Sequence, residues 1–114
     1  MAIPLWNPRT GNETVCRADL HVHSVYSDGL KTPEQLCALA GRLNITHLAL
    51  CDHDTVDGLD AMAQAVRMEN QARAPRGQPL LMLIPSVEIS TGPGGRTHLL
   101  AYGASPRNAR LAAF

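Results

Sequence analysis

Ile45 to Cys51 reads Ile-Thr-His-Leu-Ala-Leu-Cys, a nearly continuous apolar run that stops at Asp52-His53-Asp54. A strand that is apolar on both sides belongs in a sheet covered on both faces, which favours parallel strands under helices. The preceding segment supplies such a helix. Thr32-Pro33-Glu34-Gln35 is a helix start, with Thr32 as N-cap, Pro33 at the first helical position and Gln35 where a capping-box partner belongs. Leu36, Leu39, Ala40 and Leu43 then recur at helical spacing, and Asn44 is a left-handed stop. Val15 to His23 reads as an earlier strand. Strand, helix and strand make a right-handed βαβ unit, so the two strands run parallel and their C-terminal ends share a rim. The fold class is α/β, and His23 and His53 lie on that rim.

The rest of the chain continues the alternation. A second helix is expected from near Val56 to Ala72, with Leu59, Met62, Ala63 and Val66 on its inner face. Arg73 to Pro79 reads as a solvated connection and Leu80 to Ser90 as a third strand. Thr91 to Arg96 is a turn, and Thr97 to Tyr102 returns as a hairpin partner, which brings His98 back to the same rim. Ser105-Pro106 starts a helix that stops at Phe114 after barely two turns. The expectation is a leader at 1–14, without periodicity, and at 15–114 the front portion of a larger domain.

Composition narrows the function. Lys plus Arg and Asp plus Glu stand at ten each, so no global basic field attracts nucleic acid or a membrane surface. An anionic substrate must be held locally. One Trp, one Phe and two Tyr are too few for a base-stacking surface. Cys16, Cys37 and Cys51 form no Cys-x-x-Cys pair and read as reduced, mostly buried thiols of a cytoplasmic protein. The longest apolar run, Leu80 to Ile84, is too short to span a bilayer, and Met1 to Asn7 lacks the pattern of a signal peptide. The glycosylation patterns at Asn12 and Asn44 are therefore read as chance.

The chemistry gathers at strand ends. In Asp19-Leu20-His21-Val22-His23, strand alternation places Asp19, His21 and His23 on one face and Leu20 and Val22 on the other. Two imidazoles at that spacing can chelate one cation, and Asp28 in the Ser-Asp-Gly turn brings an oxygen to the same end. The alternative is a half-buried strand whose histidines only hydrogen-bond. Glu88 is the one charge in its apolar strand and needs compensation, from an Arg or from a metal. Collected on the rim are His21, His23, Asp28, His53, Glu88 and His98. Nitrogen and oxygen donors without thiolate suit Zn, Mn or Fe, and six ligands exceed what one catalytic ion with open positions takes. Paired ions suit phosphate-ester cleavage. His47, mid-strand, reads as structural; Arg96 is either a phosphate clamp or a solvated turn residue.

Asp19-Leu20-His21-Val22-His23-Ser24, Ser27-Asp28-Gly29, Asp52-His53-Asp54, Val87-Glu88-Ile89-Ser90 and His98 resemble, in order, the N-terminal motifs of the PHP (polymerase and histidinol phosphatase) superfamily. Within it, Asp-His-Asp-Thr and Glu-Ile-Ser before a short hairpin are most similar to the bacterial 3',5'-nucleoside bisphosphate phosphatase type, which also trims short oligonucleotides. The resemblance implies the N-terminal portion of a distorted (β/α)7 barrel with parallel strands and one hairpin, carrying two or three divalent ions. His21 and His23 would hold one ion, Glu88 would bridge it to a second that His98 helps bind, and Asp28 with His53 would hold the third. Asp19 and Asp52 would orient ligands or backbone from behind, and Asp54 is a candidate for proton handling or substrate contact. Ser86 stands where the family usually has Gly, which would shift the Glu88 strand slightly. The family's later His and Asp-x-His fall beyond position 114, so a missing C-terminal half or an oligomer would complete the site. Competing expectations are a phosphatase or exonuclease module of a DNA polymerase and a truncated, non-catalytic fragment.

Overall fold

A computed structural model describes residues 2–7 and 12–108. Its strands are β1 (Ala2–Asn7), β2 (Asn12–Val22), β3 (His47–Leu50), β4 (Met82–Thr91) and β5 (Thr97–Tyr102), and its α-helices are α1 (Pro33–Arg42) and α2 (Leu59–Arg73). The strands form one sheet in the order β1-β2-β3-β4-β5. The three central strands are parallel, as the βαβ reading requires, and an antiparallel strand flanks them at each side. Flat strands lie about 4.8 Å apart, so β2 and β5 would be separated by roughly 14 Å. Yet the Tyr102 hydroxyl donates to the Leu20 carbonyl at 2.8 Å. The sheet is therefore curled, with β5 brought round toward β2.

Local chemistry explains most boundaries. Thr32 Oγ1 accepts from the Gln35 N–H and the Gln35 side chain accepts from the Thr32 N–H, so the capping box is complete. Asn44 sits at φ 56°, the left-handed conformation that ends α1. α2 begins at Leu59, three residues after the expected start, because Val56 to Gly58 is spent in a turn: the Leu59 N–H donates to the Val56 carbonyl. Cys37, Leu48, Leu50, Leu59, Met62, Val66 and Val87 meet in the core between helices and sheet. Burial pushes the Cys37 and Cys51 thiols up to about 11, so both stay protonated and inert at neutral pH.

Several expectations are corrected. The supposed leader contributes β1, whose Pro4 is tolerable because β1 is an edge strand. β2 starts at Asn12, β3 spans His47–Leu50 where Ile45–Cys51 was expected, and β4 runs Met82–Thr91. Ala65 is buried where Ala63 was expected. Arg73 is not solvated but buried, with its Nη1 on the Ile45 and Pro79 carbonyls. Ser105-Pro106 opens a turn through Asn108; the expected continuation at 109–114 lies outside the described residues.

Met62 is fully buried between α1, α2 and the sheet, with the Cys37 thiol 3.9 Å from its sulfur. Met62→Ala should cost about 2–5 kcal/mol of unfolding free energy, read from urea denaturation midpoints, because the cavity cannot collapse in so packed a layer.

Candidate metal centre

β2 carries the first ligands, and its register is broken on the way to them. Asp19 pairs with Leu48 but Val22 pairs with Leu50, so three steps on β2 answer two on β3. This β-bulge inverts the expected alternation. Asp19 lines a small cavity with Val22, Leu36, Leu39 and Leu48 on the helix side of the sheet, and does not share a face with His21. Its Oδ1 accepts from the His21 N–H at 3.2 Å, so it holds the bulge that re-aims His21. Leu20, expected on the face opposite His21, is half exposed.

The loop after β2 is built on Asp52. This carboxylate is buried, and accepts from the Ser24 N–H at 2.7 Å, the Ser24 hydroxyl at 2.7 Å and the Ser27 hydroxyl at 2.8 Å. Charge-assisted bonds of this kind fix the loop that carries Asp28. Ser24 and Ser27 were given no role by the sequence motif; their spacing ahead of Asp-Gly is the signal that they anchor a turn. Gly29 is obligatory here, because a Cβ at that position would overlap the His23 carbonyl.

Glu88 sits at the centre, its side chain 5% exposed. Its N–H donates to the Asp52 carbonyl at 3.1 Å and its carbonyl accepts from the Asp54 N–H at 2.9 Å, so the Asp52–Asp54 segment grips it as a continuation of β3. Asp54, at φ 54°, also accepts from the Ser90 N–H at 2.7 Å. That bond, more than the nearby imidazoles, holds its carboxyl below the usual range, an arrangement suited to stapling β4 rather than to handling protons. Ser86 is accommodated: its hydroxyl donates to the Ile84 carbonyl, and the β4–β5 register is unbroken from Ser86 to Thr91.

Four imidazoles surround the Glu88 carboxylate and no Arg approaches it among the described residues. His21 Nε2 lies 3.0 Å and His98 Nδ1 3.8 Å from Oε1, while His53 Nδ1 lies 3.0 Å and His23 Nε2 3.3 Å from Oε2. Despite these distances Oε2 has no hydrogen-bond partner of acceptable geometry. His23 Nδ1 is 2.6 Å from Asp28 Oδ1, a contact that holds the Asp28 carboxyl below the usual range. In a neutral ring that bond takes the one N–H, leaving His23 Nε2 as a lone pair facing Glu88 Oε2. Acceptor then faces acceptor, and a cation between them relieves it.

His21 Nε2 and His23 Nε2 are 3.1 Å apart. Two nitrogens at about 2.0–2.1 Å from one zinc-sized ion lie about 2.9–3.4 Å apart. The donors fall into three groups: His21, His23 and Glu88; His23, Asp28 and His53; and His53, Glu88 and His98. All six expected ligands are thus brought together. His47 is placed elsewhere, its Nδ1 against Cys16 Sγ at 3.1 Å and Thr46 Oγ1 at 2.9 Å, in keeping with a structural role. Arg96 is exposed in the β4–β5 turn, with no ion pair among the described residues.

A curled, parallel-dominated sheet with imidazoles and carboxylates that could hold metal gathered at its C-terminal rim defines the class as an α/β domain with a candidate metal centre. The sequence model for the PHP domain matches residues 19–101, and the chain belongs to that family. It is 35% identical over 112 residues to an error-prone DNA polymerase of Mycolicibacterium paratuberculosis, covering 90% of this chain and 9% of that protein. It is also 39% identical over 97 residues to a 3',5'-nucleoside bisphosphate phosphatase of Chromobacterium violaceum, covering 83% and 30%. A solved structure from Bifidobacterium adolescentis, assigned as a metal-dependent phosphoesterase, superposes with a TM-score of 0.65 at 30% identity, covering 86% of this chain and 31% of that one. The chain thus spans less than a third of the length of each of these relatives.

Asp54→Asn isolates the charge of the Ser90 staple, since Asn tolerates the same backbone. A depressed carboxyl stabilises the fold fully above its ordinary value of 3.8 and loses that contribution as pH falls through the lower folded value. The native chain's advantage over the variant in denaturation midpoint should therefore be level at pH values well above 3.8 and shrink as pH falls below 3.8.

Proposed function

We propose that this chain is the front part of a metal-dependent phosphoesterase domain that hydrolyses phosphate esters of nucleotides or small phosphorylated metabolites, with short oligonucleotides as further substrates. The observation that carries the reading is Glu88: a buried carboxylate with an unpartnered oxygen, ringed by four imidazoles. The phosphatase relative and the phosphoesterase structure support it. The complete fold is then the distorted (β/α)7 barrel, of which β2, β3 and β4 form the first parallel strands. Its remainder, or an oligomer, completes the rim. The compartment is the cytoplasm, and no helix among the described residues is long and apolar enough to cross a membrane.

The donor set fits two or three divalent ions of the Mn, Zn or Fe type. His21 and His23 would hold the first, Glu88 with His98 the second, and His53 with Asp28 the third. Bound there, such ions lower the pKa of a coordinated water and offset the charge of phosphoryl oxygens. The protein's own part is positioning. Asp28 fixes the His23 tautomer, Asp52 fixes the loop that carries Asp28, and Asp54 fixes the strand beyond Glu88. Arg96, without an ion-pair partner among the described residues, is free to clamp a phosphate in a bidentate fork.

A second reading, a phosphatase or exonuclease module of a DNA polymerase, is favoured by the polymerase relative, which covers more of this chain than the phosphatase does. Release of phosphate from a 3',5'-bisphosphorylated nucleoside supports the first reading; trimming of DNA ends without it supports the second.

Elemental analysis of the dialysed protein should find more than one equivalent of divalent metal, lost in the His21→Ala/Glu88→Ala variant. Asp52→Asn should keep the ligands but weaken metal binding about 10–100-fold. Equal metal content in the native and double-variant proteins would overturn the assignment.

A further inference from the structure

At the opposite end of the same strands lies a second polar site. Arg73 closes α2 and is 3% exposed. Its Nε donates to Glu69 Oε1 at 3.1 Å, and its Nη1 donates to the Ile45 carbonyl at 2.8 Å and the Pro79 carbonyl at 3.1 Å. Nη2, also buried, has no partner among the described residues. Clamping two carbonyls explains why an Arg is here. It does not explain two N–H bonds left unpaired, which a buried cationic donor tolerates poorly.

Arg73 lines a cavity of about 290 Å³ together with Arg17, Asn44, Thr46 and Gln78. That volume is at the lower end for small-molecule sites. Arg17 spends Nη1 on the Leu43 carbonyl at 3.0 Å. Its other guanidinium nitrogens, and the carboxamides of Asn44 and Gln78, have no partner among the described residues. Glu69 is paired to Arg73, and no carboxylate lines the cavity, so the lining carries net positive charge. The Leu43, Ile45 and Pro79 carbonyls at this end accept from the two guanidinium groups.

We propose that this cavity is an oxyanion site that takes a phosphate group, with Arg17 and Arg73 as its cationic walls and Asn44 and Gln78 as adaptable donors. It is separate from the metal centre. Arg17 stands just before Ala18, where β2 begins to pair with β3, Thr46 precedes β3 and Gln78 precedes β4, whereas His23, His53 and Glu88 lie toward the other ends of those strands.

The test is isothermal titration of the metal-free chain with inorganic phosphate, and separately with ribose 5-phosphate, against chloride at constant ionic strength. One saturable equivalent is expected for either probe or both. Arg17→Gln, an exposed position, should weaken it at least tenfold, and Arg73→Lys, which keeps the charge but removes the fork, should weaken it as well. His21→Ala/Glu88→Ala should leave it unchanged. Circular dichroism checks the fold of each variant; if one unfolds, the other Arg variant and the metal-site variant decide. No saturable binding of either probe at millimolar concentration would overturn the proposal, as would binding indifferent to the Arg changes or lost with the metal ligands.

Discussion

The contact between the Glu88 carboxylate and its four imidazoles sets the terms for everything around it. A carboxylate shut away from water must find positive charge, and imidazoles supply it only by taking up protons or by sharing a cation. Both solutions demand that five side chains from different parts of the chain converge within a few ångströms. The parallel strands achieve this because their C-terminal ends coincide. The backbone bonds from Glu88 to Asp52 and Asp54 then lock β4 to the end of β3, so that His53 and Glu88 cannot drift apart.

Much of this was legible from residues alone, for a physical reason. Parallel strands advertise themselves through apolar runs such as Leu48 to Cys51, and ligands at their ends break the apolar pattern conspicuously. The six donors and the hairpin return of His98 could be placed without coordinates. The bulge could not: alternation assumes an uninterrupted ladder, and nothing in Asp19 to Val22 announces the extra residue. One inserted residue was enough to move Asp19 to the helix side and leave Leu20 half exposed. Arg73 was misread for a related reason. Its neighbours Ala74, Pro75, Arg76 and Gly77 look solvated, while its role depends on the Ile45 and Pro79 carbonyls, which only the fold brings within reach.

The acidic residues divide by where their oxygens are spent. Asp52 gives three acceptor bonds to a loop, Asp54 one to a strand and Asp19 one to a bulge. Each holds backbone or hydroxyl donors and so has less to offer an ion. Asp28 and Glu88 instead meet imidazole nitrogens. A motif such as Asp-His-Asp therefore conceals a division of labour: its central His53 faces the Glu88 carboxylate, while its two carboxylates secure the elements on either side.

The curl of the sheet connects the site to the open side of the molecule. Tyr102 reaches across to Leu20 near the same rim, and the bond ties β5, which carries His98, to β2, which carries His21. Leu20, Leu100 and Tyr102 are nevertheless exposed, Leu100 standing opposite Glu88 in the register, a concentration of apolar surface next to a polar centre. Electrostatics draws the donors together at one end of the strands, but shielding such a cluster from water requires a wall on the remaining side. Gathering the ligands and closing the site are separate tasks. In this chain the first is carried by four successive strand ends and their loops, within less than a third of the length of each of the three relatives described above.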